Sequence, residues 1–266
     1  MPSASASKGA RSKRPWYESA FTREYLSQYA HRSDEAARRE IPFVVRALKL
    51  KRGARVLDLC CGAGRHSRVL AAGGLRVTGL DLSADLLNAA NAAGGGVVFV
   101  RGDMRRLPFL SESFDGMVNL FTSFGYFNDA ENQRVLTDAA RVLKPGAPFF
   151  MDYLNITHVR RTLVDRSERC VGEMQLCERR WYDPRTRRLN KATRMRCNGA
   201  EKLRRESVRA YTRAELTRML HRAGMKVLKV YGDLSGSRFD ARNSPRCVLL
   251  ARKEPAIGRT TRGGKR

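Results

Sequence analysis

The sequence predicts an α/β fold. It comprises a doubly wound, mostly parallel seven-stranded sheet, an N-terminal helical leader and an antiparallel β insert after the fifth strand. Three observations carry this. Short apolar runs alternate with amphipathic segments over residues 54–153. The first run passes through a glycine-bearing turn directly into a helical pattern, Val56-Leu57-Asp58-Leu59-Cys60-Cys61-Gly62-Ala63-Gly64-Arg65-His66-Ser67. After Asn155 the pattern changes to polar–apolar alternation, and strand–helix order resumes at Thr212.

Residues 1–14 are basic and Ser-rich with no apolar stretch, which predicts a solvated, disordered tail rather than a secretion signal. Residues 15–53 read as a helical cap. Trp16, Tyr17, Phe21, Tyr25 and Tyr29 recur at spacings of one and four, giving an aromatic stripe. Ser33-Asp34-Glu35 reads as an N-cap with acidic first-turn residues, opening a helix to about residue 48. Strands are then predicted over 54–59, 76–80, 97–100, 116–120 and 148–153. Helices are predicted over 65–72, from the Ser83 cap to about 92, and over about 132–143, where Lys144-Pro145-Gly146 stops the last. The span 54–155 forms the ligand-binding core in this reading.

Residues 156–211 form the insert, with antiparallel strands across 168–211 turning at Asp183-Pro184 and Asn198-Gly199. Its place after the fifth strand predicts a flap that shapes a substrate pocket. Thr212-Arg213-Ala214-Glu215 is a capping box opening a helix to about residue 222. Strands at 225–231 and 246–251 close the core unit at 212–252, and 253–266 reads as a second basic, disordered tail.

The net charge is +26, and its distribution is informative. Residues 54–154 carry ten basic and ten acidic side chains, whereas 155–211 carry sixteen basic and seven acidic. Most of the excess therefore sits on the insert and tails. It reads as solvated surface, as a clamp for an anionic small molecule, or as a nucleic-acid footprint. No apolar run reaches the length of a membrane span. The six cysteines show neither Cys-x-x-Cys nor zinc-ligand spacing, which predicts free thiols, a cytoplasmic protein and no metal.

The turn at 62–64 marks a ligand cradle, since glycine permits close backbone approach and the first helical N–H groups are unpaired. A dinucleotide fingerprint would place a third glycine where Ser67 stands. Acids instead follow successive strands. Asp58 and Asp81 end the first two, Asp103 follows the third, and the aromatic run 119–127 follows the fourth. A carboxylate after the second strand can accept both hydroxyls of a ribose, and one after the third can accept from an adenine amino group.

This series resembles the class I S-adenosylmethionine-dependent methyltransferases, whose core is Rossmann-like. The resemblance covers residues 54–154, and the closing helix–strand–strand unit suits the same fold. Asp58 to Gly64 is similar to the family's acidic-x-Gly-x-Gly-x-Gly motif, with Cys60 where the first glycine is usual. The Cys60-Cys61 variant, the tyrosine-bearing leader and Thr122-Ser123-Phe124-Gly125-Tyr126-Phe127 are similar to members acting on small molecules. The resemblance implies S-adenosyl-L-methionine as cofactor. Cys61, Gly62, Ala63 and Gly64 would line its methionine moiety, Asp58 would orient its amino group, and Asp81 would take the ribose. Leu82 would lie against the adenine, Asp103 and Met104 would bind it, Leu120 or Phe121 would cover the sulfonium, and Tyr25 would reach the site from the leader.

The acceptor is expected to be a small molecule. The Asn/Asp-Pro-Pro-Tyr/Phe signature, which marks many enzymes methylating planar nitrogens, is absent, since Asn119-Leu120-Phe121-Thr122 stands there. Candidate general bases are His158 and Tyr153, with Asp152 and His66 behind them. An RNA methyltransferase using the basic insert, and a cofactor-binding module without catalysis, are the alternatives.

Overall fold

Apolar residues recur in the first five predicted strands, and in the computed structural model these form the parallel part of one sheet. The structure describes residues 15–29 and 33–255. The tail predicted at 1–14 and most of that at 253–266 lie outside the described residues.

The leader forms α1 (Trp16–Ser19), α2 (Arg23–Gln28) and α3 (Asp34–Leu48). The core then runs β1 (Arg55–Leu59), α4 (Arg65–Ala72), β2 (Arg76–Asp81), α5 (Ala84–Ala92), β3 (Val98–Arg101), β4 (Gly116–Asn119), α6 (Asp129–Val142) and β5 (Pro148–Leu154). The insert comprises α7 (Ile156–Thr162), β6 (Arg166–Val171), β7 (Met174–Asp183), β8 (Arg188–Cys197) and β9 (Ala200–Arg209). The chain closes with α8 (Arg213–Arg222), β10 (Met225–Tyr231) and β11 (Arg246–Lys253).

The seven-stranded sheet has the order β10-β11-β5-β4-β1-β2-β3. β1 to β5 pair in parallel. β11 runs antiparallel between β5 and β10. The order reverses between β1 and β4, and ligands bind at the carboxyl ends of strands beside such a switch point. Strand periodicity sorts the core into two layers. Val56, Val77, Val118 and Phe150 pack against Ile41, Val44 and Leu48 of α3 and Leu70 of α4. Leu57, Met117, Phe149 and Met151 face Leu136 of α6 and Leu220 of α8.

Two elements differ from the sequence reading. Helix α6 begins at Asp129 because Asn128 and Glu131 form a capping box. The insert opens with α7, whose one buried residue, Ile156, leaves no apolar stripe in the sequence. Beyond α7 the four insert strands form a separate antiparallel sheet, β6-β7-β8-β9.

Candidate functional site

The turn after β1 is shaped by backbone conformation. Cys60, Gly62 and Gly64 all have positive φ, at 63°, 57° and 74°. A glycine accepts this freely, whereas Cys60 takes it at a steric cost. Gly64 has a further constraint: a Cβ there would sit 2.5 Å from the Phe99 ring. Gly64 also caps α4 without a side-chain hydrogen bond, so the first-turn N–H groups need another acceptor.

These elements enclose a cavity of about 330 Å³ at the carboxyl ends of β1, β2 and β4. Of the residues that the sequence assigns to a cofactor, Asp58, Cys61, Gly62, Ala63, Asp81, Leu82, Asp103, Met104, Leu120, Phe121 and Tyr25 line it. Gly64 does not, and its smallness serves packing against Phe99.

Asp81 accepts the Gly62 N–H on Oδ2 and the Ser83 N–H on Oδ1, both at 2.9 Å. Burial pushes its carboxyl above the ordinary aspartate range, against the pull of those two N–H groups. Asp58 is also buried and raised by burial, and it accepts the Ser67 hydroxyl at 2.5 Å. Asp103 behaves differently. Burial would raise it, but Arg105 grips both oxygens, with Nη2 to Oδ2 at 2.7 Å, and holds it below the usual range. Asp103 therefore reaches the cavity as half of an ion pair that Arg105 extends to Glu131. The two thiols of the turn are pushed up by burial and by the surrounding carboxylates, so both are protonated at neutral pH.

The opposite wall is aromatic. Tyr17, Phe21 and Tyr29 from the leader line it together with Tyr126 and Phe127 from the segment after β4. Phe21 stacks on Tyr126 at 5.9 Å, and Tyr17 meets Phe127 edge-on at 5.0 Å. No residue of β6 to β9 lines the cavity, contrary to the expectation of a flap over the pocket. Leader helices intervene, and the insert backs them. Gln28 reaches the Met195 sulfur, Lys191 bonds the Tyr29 hydroxyl, and Arg204 lies 5.4 Å over the Tyr25 ring.

The expected bases separate in space. Tyr153 is fully buried outside the cavity, its hydroxyl donates to the Arg209 carbonyl, and burial raises its pKa well above the usual range. His158 lies on α7, away from the cavity lining. Asp152 is buried in an ion pair with Arg246. His66 does line the cavity, with Nε2 2.7 Å from Glu40 Oε2. Arg65 binds the same carboxylate oxygen at 3.0 Å. Burial alone would raise Glu40, yet His66 and Arg65 bring it below the usual range. The Glu40–His66 contact was not legible in sequence, because its partners lie on different helices 26 residues apart.

The site chemistry suits a nucleoside joined to an amino acid. Buried carboxylates offer acceptors for hydroxyl and ammonium groups, and a bare helix start offers N–H donors for a carboxylate. Among the described residues no acid, histidine or cysteine cluster could hold a metal ion, and no helix is long and apolar enough to cross a membrane.

Comparison with known proteins agrees. The family model for a methyltransferase domain matches residues 56–146. A demethylmenaquinone methyltransferase of Paenarthrobacter aurescens (strain TC1) is 37% identical over 103 residues, covering 39% of this chain and 40% of that protein. The chain thus spans about two fifths of the length of that relative. The CcbJ methyltransferase of Streptomyces caelestis superposes with a TM-score of 0.73 at 23% identity, over 86% of this chain and 96% of that one. An S-adenosylmethionine-bound amino pentose methyltransferase of Micromonospora echinaspora, CalS10, gives 0.66 at 22% identity, over 88% and 98%. At these identities the structural likeness shows a shared fold.

Proposed function

We propose that the chain, whose residues 56–146 match the family model for a methyltransferase domain, is a class I S-adenosylmethionine-dependent methyltransferase that methylates a small-molecule acceptor in the aromatic-walled cavity. One observation carries this reading: a single enclosed space has buried acids at the strand ends on one wall and aromatic rings on the other. The relatives point the same way, since demethylmenaquinone and an amino pentose are both small molecules.

Asp81 accepts the ribose hydroxyls, held for this by the Gly62 and Ser83 N–H groups. Leu82 packs against the adenine, and Met104, with the Arg105-bound Asp103, borders its edge. Asp58 orients the amino group, and the turn at 61–63 lines the methionine chain. When bound, S-adenosylmethionine supplies a methyl group already activated on a sulfonium. The protein's remaining tasks are orientation and exclusion of water, which suit an aromatic wall. Where an acceptor proton must leave, His66 is the group placed to take it. Glu40 holds Nε2, leaving Nδ1 as the basic nitrogen.

The test is incubation of the protein with methyl-tritiated S-adenosylmethionine and cell extract, with and without ribonuclease. Label in low-mass, ribonuclease-resistant material is expected. Label confined to ribonuclease-sensitive material would overturn the small-molecule reading in favour of RNA.

A further inference from the structure

Phe121 and Thr122, immediately after β4, have φ of 63° and 59°. Neither is glycine, and for a β-branched threonine the left-handed region is an outlier. Such a conformation persists only where its surroundings over-determine it. Here two strands do so. Asp152 of β5 accepts the Phe121 N–H on Oδ2 at 2.9 Å, and its main-chain carbonyl accepts the Thr122 N–H at 3.1 Å. Arg246 of β11 donates from Nε to Asp152 Oδ1 and from Nη2 to Thr122 Oγ1, both at 2.7 Å.

The Asp152 side chain is buried, and an apolar pair could join β5 to β11 at no greater cost. The feature this ion pair adds is control of the turn. Neither Asp152 nor Arg246 lines the cavity, but Phe121 does. Its ring lies 4.8 Å from the Arg65 guanidinium and 6.4 Å from the His66 ring.

We propose that Asp152 and Arg246 are positioning residues for the acceptor site, holding the strained Phe121–Thr122 turn so that the Phe121 ring forms the cavity wall beside His66. The assignment to an acceptor rests on reading the cavity as a methyl-transfer site.

The test places 4-fluorophenylalanine at position 121 and follows its fluorine resonance alongside thermal unfolding, S-adenosylmethionine affinity and label transfer to extract. Arg246→Met should broaden or split the resonance and lower transfer by about tenfold or more, a larger factor than any loss of cofactor affinity at the shared cavity. Arg246→Lys, which keeps the charge but not the two-armed grip, should show the same change to a smaller degree and covers the case in which the methionine variant does not fold. Thr122→Gly relieves the left-handed backbone but removes the hydroxyl that Arg246 grips, and it should broaden the resonance. The Arg246 guanidinium lies 6.0 Å from the Phe121 ring centre, so a purely structural arginine predicts lower stability with a fluorine line that shifts but stays single and narrow. That result, or a narrow single resonance in Thr122→Gly, would overturn the proposal. If the wild-type protein labels no small molecule, the functional reading fails, and the fluorine and thermal measurements still decide whether the clamp holds the turn.

Discussion

Replacing Asp81 by Asn perturbs the site at its most informative carboxylate. Both oxygens hold main-chain N–H groups, from Gly62 and Ser83, at 2.9 Å. The amide keeps one acceptor and turns the other oxygen into a donor. One main-chain N–H then loses its partner, and the ribose loses an ionised acceptor. A charge-assisted hydrogen bond contributes about 1.5–3 kcal/mol, so S-adenosylmethionine and S-adenosylhomocysteine should each bind about 10- to 150-fold more weakly by calorimetry. Stability of the ligand-free protein should move the other way with pH. Burial raises the Asp81 carboxyl. A raised carboxyl contributes stability below the ordinary aspartate range and loses it as pH rises through its folded value. The neutral amide has no such loss. The difference in unfolding free energy should therefore shift in favour of Asp81→Asn from acid to neutral pH. Unchanged affinity would refute the ribose assignment, and a pH-independent difference would refute the buried-charge argument.

Further outcomes are expected elsewhere. Tyr153→Phe removes a buried hydroxyl bonded to the Arg209 carbonyl. It should cost about 1 kcal/mol in urea unfolding with methyl transfer intact, and a loss of transfer would restore Tyr153 as a base. Cys60→Gly relieves a left-handed backbone and should stabilise the protein by about 1 kcal/mol, whereas a drop in stability would show that its contact with Met104 dominates. Iodoacetamide at neutral pH should modify exposed Cys170 well before Cys60 or Cys61, whose thiols burial keeps protonated; mass spectrometry of timed samples gives the order. Lys191 and Arg180 hold Glu178 below the usual carboxylate range although burial opposes them, so its contribution to stability is present above that range and is lost as pH falls through its folded value. Glu178→Gln should therefore lose its deficit relative to wild type on acidification, and a deficit constant with pH would remove the ion pairs as its cause.

The periodicity of the chain was sufficient for the α/β core, because buried parallel strands require continuous apolar runs and the helices between them require amphipathic ones. Ser83 and the Thr212–Glu215 box marked helix starts by local hydrogen-bond chemistry, and both cap as expected. The Asn128–Glu131 box carried an equally local signal for α6. Helix α7 had none, because a helix with one buried residue needs no stripe.

Asp58, Asp81 and Asp103 were legible because each lies at or just beyond the carboxyl end of a strand, and a parallel sheet aligns those ends. Tertiary packing alone decided which other groups join them. The leader, rather than the insert, supplies the aromatic wall, because α2 lies between β8 and the cavity, with Gln28 against Met195. Glu40 meets His66 only when α3 packs beside α4. Asp152 reads in sequence as a candidate base, but Arg246, 94 residues later, turns it into a clamp. Local composition thus determined the elements and the likeness of the first turn to a known motif. Contacts between distant residues determined which ionisable groups face the cavity, because burial and partnership depend on packing that no single stretch of sequence records.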